Sequence, residues 1–233
     1  VDGVESFSES FRSLLDQVDA KRNVLQTGVI KQQEVAVGVY ADAVKDTIKG
    51  LDAQKVNARL WDHDATLWKD HPSVVARISE RLGWLNVLET IDLARLKALQ
   101  ASVRGGDIRH VVLLGMGGSS LAPEVLSKSF GPQQGFPTLL MLDSTDPGYI
   151  KSIEDAIEID KTLFVVSSKS GGTIETSSFY QYFYARTGEK GQQFIAITDP
   201  GTSLEAMAQQ QGFREVFANP ADIGGGLGSP GPL

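Results

Sequence analysis

An α/β fold of three layers, αβα, with a five-stranded parallel sheet and a helical N-terminal region ahead of it, is what this sequence predicts. Three observations predict it. After Gly106, short apolar runs alternate with segments of helical periodicity, the rhythm of βαβ units. Those runs carry β-branched and aromatic residues without polar alternation, as strands covered on both faces do. Before Gly106 the apolar positions repeat at helical spacing instead.

Taken in order, Phe7, Phe11, Leu14, Leu15 and Val18 share one helical face, so residues 1–25 read as an amphipathic helix. Residues 26–105 read as a helical region. It holds one helix around Glu34 to Lys49 closed by Gly50, another from near Asp52 to Trp61, a third from Pro72 to about Gly83, and a last from Val87 to about Ala101. Residues 106–218 carry the sheet, with strands expected at His110 to Leu114, Thr138 to Leu142, Thr162 to Ser167, Gln193 to Thr198 and Arg214 to Phe217. The intervening helices are placed at Leu121 to Phe130, Gly148 to Glu158, Ile174 to Thr187 and Ser203 to Gln211. Residues 219–233 read as a tail, because "GGGLGSPGPL" from Gly224 offers almost nothing to bury. Val1 is not a start methionine, and both ends read as cut or appended.

Composition excludes several functions. The chain has 233 residues, 41% of them hydrophobic, and no apolar run near the roughly 20 residues that a membrane helix needs. The expectation is a soluble, cytoplasmic protein without a membrane partner. There is no cysteine, and His63, His71 and His110 share no ligand spacing, so neither disulfides nor a metal site are expected. A net charge of -7 without a basic cluster argues against nucleic acid. A small anion remains open, provided a local positive site offsets the overall acidity.

Two glycine-rich loops carry the candidate chemistry. The first strand runs into "LLGMGGSSLAP", where glycines let the backbone approach a ligand and the following helix N-terminus offers unpaired N–H groups to an anion. A Gly-rich turn with a serine N-cap would explain this loop equally well. The dinucleotide fingerprint G-x-G-x-x-G fails at its third glycine, where Ser120 stands, so no cofactor is expected. The third strand runs into "SSKSGGT", with hydroxyls at Ser168, Ser170 and Thr173 around Lys169, the only cation in either loop. A phosphate monoester wants short donors and a point charge, and such charge-assisted bonds are roughly twice as strong as neutral ones. Capping explains this loop poorly, since the position three before Glu175 is Gly172. A Walker loop is excluded because Lys169 precedes its glycines.

"LLGMGGSSLAPEVL" with "VVSSKSGGTIET", in this order and about fifty residues apart, resembles the two signature loops of the glucose-6-phosphate isomerase family, in its first sugar-isomerase (SIS) domain of flavodoxin-like fold. The resemblance covers about Ser73 to Gly225. It implies that Gly118, Ser119, Ser168, Lys169, Ser170 and Thr173 hold the phosphate of a sugar phosphate, glucose 6-phosphate or fructose 6-phosphate. It implies at most an orienting role for Glu175. "NPADIGG" looks like the lead-in to the family's Gly-Gly-Arg segment, but Gly226 stands where the catalytic arginine belongs. The family's base glutamate, ring-opening histidine and C-terminal lysine lie in a second SIS domain that this chain lacks, so the chain alone is expected to be inactive. A homodimer is left open. "GVESFSESFRSLLDQVDAKR" looks like the closing helix of a transaldolase and suggests a bacterial fusion of transaldolase with glucose-6-phosphate isomerase.

Two rivals stay open: a non-catalytic SIS module that senses a phosphosugar, and a nucleotide-dependent oxidoreductase. Under the second, Asp143 or Asp146 in "MLDSTDP" would reach a ribose hydroxyl, although a helix-start turn before Pro147 explains the segment better. His71 and His110 read as structural, and His63 lies between carboxylates that would favour its charged form if close. Trp61, Trp68 and Trp84 read as packing between the helical region and the sheet.

Overall fold

The computed structural model describes Arg22 and residues 36–223. The expected helix at 1–25 and the tail from Gly224, including Gly226, lie outside the described residues, Arg22 apart. The chain divides into two compact units, Val1–Asn57 and Ala58–Leu233. In the first, a 3₁₀ turn at Gly38–Tyr40 leads into helix α1, Ala41–Ala53. The helix passes through Gly50 instead of stopping there. Helical glycine costs only about 1 kcal/mol relative to alanine, too little to end a helix by itself.

Helix α2 is Val56–Trp61, α3 is Pro72–Ser79, α4 is Val87–Thr90 and α5 is Leu93–Gly105. The single helix expected from Val87 is thus broken at Ile91, whose backbone is extended. Asp92 restarts it by accepting the Arg95 N–H at 2.9 Å, an N-cap the apolar spacing concealed. The three tryptophans are not packed away: Trp61, Trp68 and Trp84 are 59%, 48% and 51% exposed. Ala65, Leu82 and Gly83 are buried in their place.

The sheet comprises β1 His110–Gly115, β2 Thr138–Leu142, β3 Thr162–Ser167, β4 Phe194–Thr198 and β5 Glu215–Ala218. All pairs are parallel, in the order β2-β1-β3-β4-β5. Four helices connect the strands: α6 Gly118–Phe130, α7 Pro147–Asp155, α8 Ile174–Arg186 and α9 Ser203–Gln210. Because such crossovers are right-handed, the reversal between β2 and β3 puts α6 on one face and α7, α8 and α9 on the other.

The core lies under α8 and α9. Phe164 of β3 stacks on Phe183 at 4.8 Å and on Phe194 at 5.1 Å, with Val112, Leu114 and Val166 buried beside them. Helix α5 is tied to both edges of the sheet. Arg95 pairs with Glu215 at 2.5 Å on β5 and lies over Phe217, while Arg104 lies over Phe136 just ahead of β2.

Candidate functional site

Strand order reverses between β1 and β3, and in doubly wound sheets ligands bind outside the carboxyl ends of the strands at such a switch point. Both glycine-rich loops leave the sheet there. Gly115 pairs in register with Ser167, so the loops start from adjacent strands, about 4.8 Å apart.

In the first loop Gly115 allows a close approach: a Cβ there would stand 3.1 Å from the Ser119 side chain and 3.2 Å from its carbonyl oxygen, tight enough that Ser119 would have to give way. The N-cap of α6 is Gly117, and no side chain caps it. A serine cap, the alternative reading of this loop, is therefore absent. The helix starts at Gly118, three residues earlier than expected, and Ser120 is buried with its hydroxyl donating to the Gly117 carbonyl at 3.1 Å. Gly118 is exposed and Ser119 half-buried at the helix start. The Ser119 hydroxyl has no partner among the described residues.

The second loop is built around one hydroxyl pair. Ser168, buried, lies 2.9 Å from the Thr173 hydroxyl, which bridges the loop instead of capping α8. The Glu175 N–H, which a capping hydroxyl would have accepted, therefore takes no partner among the described residues, and the Ile174 N–H at the first helical position has none either, leaving donors at a helix N-terminus. Ser170 is exposed, Lys169 and Glu175 are half-buried. Gly171 sits at φ +67° with the Thr202 side chain 2.6 Å from where a Cβ would be, and Ser203 donates to its carbonyl at 3.0 Å. These contacts hold the loop against the start of α9.

Lys169 is engaged. Its Nζ donates to Asp199 Oδ2 at 2.6 Å, and Asn219 donates to Asp199 Oδ1 at 2.9 Å. Asp199 and Asn219 were not apparent from the sequence, where "ITDPGT" and "FANP" look like ordinary turns. Only the register of β3, β4 and β5 brings them to Lys169.

Between α8 and α9, behind this loop, lies a cavity of about 220 Å³. Ser168, Gly171, Thr176, Tyr180 and Ser203 help line it, and the buried Thr176 hydroxyl has no hydrogen-bond partner. Burial pushes the Tyr180 phenol well above the usual tyrosine range.

The remaining expected residues lie elsewhere. His110 starts β1 at the opposite end of the sheet, and His71 precedes α3 with its Nδ1 2.9 Å from Ser73 Oγ. Near His63, Asp64 is turned to Thr66 and to Arg59, at 2.6 Å, and these hold its carboxyl below the usual range. Asp146 caps α7 through the Tyr149 N–H at 2.8 Å, so the helix-start reading of "MLDSTDP" describes it. Among the described residues, no group of three or more His, Asp or Glu could hold a metal. No helix there is long and apolar enough to cross a membrane.

Residues 53–217 match the phosphoglucose isomerase family. A glucose-6-phosphate isomerase from Thermosynechococcus vestitus is 31% identical over 210 residues, 86% of this chain and 39% of that protein. One from Cyanothece sp. is 29% identical over 167 residues, 68% of this chain and 32% of that protein. Among solved structures, a hypothetical protein from Thermus thermophilus superposes with a TM-score of 0.58 and 26% identity over 76% of this chain and 41% of its own. The glucose-6-phosphate isomerase of Chlamydia trachomatis does so with a TM-score of 0.50 and 25% identity over 56% of this chain and 26% of its own. The chain thus spans between about a quarter and two fifths of these relatives' length. With the family matched across both loops and all but the last residue of the sheet, the chain belongs to the phosphoglucose isomerase family.

Proposed function

We propose that this chain is the sugar-phosphate binding half of a glucose-6-phosphate isomerase, a SIS domain whose two loops grip the phosphate of glucose 6-phosphate or fructose 6-phosphate. The observation that carries this reading is the convergence of both loops at the switch point, with Ser168, Lys169, Ser170 and Thr173 beside unpartnered N–H groups of α8 and with Gly118 and Ser119 opening α6. Hydroxyls, helix ends and one ammonium are the donor set a phosphate monoester requires. Glu175, in the first turn of α8, orients at most.

The whole enzyme would interconvert aldose and ketose through an enediol, after ring opening, with a carboxylate moving the proton between C1 and C2. This chain supplies remote binding energy, which positions the reacting carbons without moving that proton. Its base, histidine and C-terminal lysine belong to a second SIS domain, so by itself it turns over negligibly. We place it in the cytoplasm, in glycolysis and gluconeogenesis, as part of a transaldolase fusion, with residues 106–218 as the binding domain; a homodimer stays open.

A thermal-shift titration tests the reading. Glucose 6-phosphate is expected to raise the melting temperature by mass action. Protection by a nicotinamide cofactor with none from sugar phosphates would overturn it.

A further inference from the structure

Lys169 carries the one full positive charge of the two loops, and Asp199 cancels it at 2.6 Å. The pair is built in from three strand ends. Asp199 N–H donates to the Lys169 carbonyl at 3.0 Å, its Oδ2 takes the Lys169 ammonium, and its Oδ1 is held by Asn219, whose own N–H donates to the Thr198 carbonyl at 2.8 Å. Surface pairs such as Lys190 with Asp160, 60% and 80% exposed, have no such third partner and are worth little. The Lys169 and Asp199 side chains are 37% and 25% exposed, so the pair is not sealed from solvent.

We propose that Asp199 is a positioning residue that holds Lys169 in a neutral pair while the loops are empty and competes with the incoming anion for the ammonium. This rests on the phosphate-grip reading above. Helix ends and hydroxyls offer only partial charges, so the strength of the grip depends on how much of the Lys169 charge an anion can claim. The ammonium has three donors, and Asp199 takes one. A ligand must use the other two against the repulsion of the adjacent carboxylate.

Asp199→Asn tests this with little disturbance of shape. The new amide still accepts from Lys169, the Asn219 amide can turn its carbonyl toward it, and the backbone bond to the Lys169 carbonyl is untouched. Calorimetric titration of the chain with glucose 6-phosphate, at low salt, is expected to show Asp199→Asn binding about three- to tenfold more tightly than wild type. Asp199→Glu, which keeps the charge, should stay within about twofold. A merely structural Asp199 would not tighten binding when replaced, and melting curves of each variant confirm folding. Equal or weaker binding by folded Asp199→Asn, with Lys169→Ala still impaired, overturns the role of Asp199 and leaves the phosphate grip standing. No binding by wild type, or no effect of Lys169→Ala, sinks the grip and this inference with it.

Discussion

Lys169 is a single side chain on which charge, loop geometry and the proposed ligand all meet. Removing it by Lys169→Ala is expected to weaken glucose 6-phosphate binding by about 1.5 to 3 kcal/mol, the range for hydrogen bonds to charged groups. Calorimetry checks this, and an unchanged affinity would take the phosphate away from this loop. The clustering of the lysine with hydroxyls can be read from the sequence, where residue type alone suggests an anion. The lysine's partner cannot. Asp199 lies thirty residues onward in a segment whose local chemistry is that of a turn, and a salt bridge across two strand ends leaves no trace in spacing. Thr173 is a similar case: its hydroxyl would cap α8 by local preference, but Ser168 draws it across the loop instead.

Among the elements, strands were read closely and helix starts less so. Strands β1, β3 and β4 are largely buried runs of five or six residues whose limits show in the residues themselves, whereas the edge strands β2 and β5 are more exposed. Helix starts depend on caps, and glycine at Gly117 or a mid-pattern aspartate at Asp92 gives a weak signal. The α8 loop shows how an element holds a site. At φ +67° against Thr202, Gly171 tolerates no side chain without moving the loop or the start of α9. Gly171→Ala is expected to lower stability by about 1 to 3 kcal/mol through backbone strain and overpacking. Denaturant unfolding measures that loss, and a wild-type midpoint would show that the loop can shift freely.

The sheet of the whole molecule gives the two loops their common edge, and the aromatic stack beneath β3 holds that sheet to α8. Phe164 is fully buried between Phe183 and Phe194, so Phe164→Ala should cost about 3 to 5 kcal/mol. Phe130, 74% exposed on α6, should tolerate alanine within about 0.5 kcal/mol. Thermal melts of the two variants separate core from surface, and similar losses would contradict this packing. Fold class was legible at this scale because alternating runs and helices leave few topologies open. The outward tryptophans were not, since hydrophobicity alone does not say which large residue a short helix turns inward. Activity is also a property of the whole: a coupled isomerase assay is expected to find negligible turnover for this chain, and rates of about 1 to 1,000 per second would contradict that. The central claim, that both loops together grip a sugar phosphate, is tested most directly by amide NMR during titration with glucose 6-phosphate and, separately, with glucose. The account predicts that glucose 6-phosphate shifts the signals of Gly117 to Ser120 and of Lys169 to Glu175 together while glucose shifts neither group; equal responses to both sugars, or shifts confined to one loop, would contradict it.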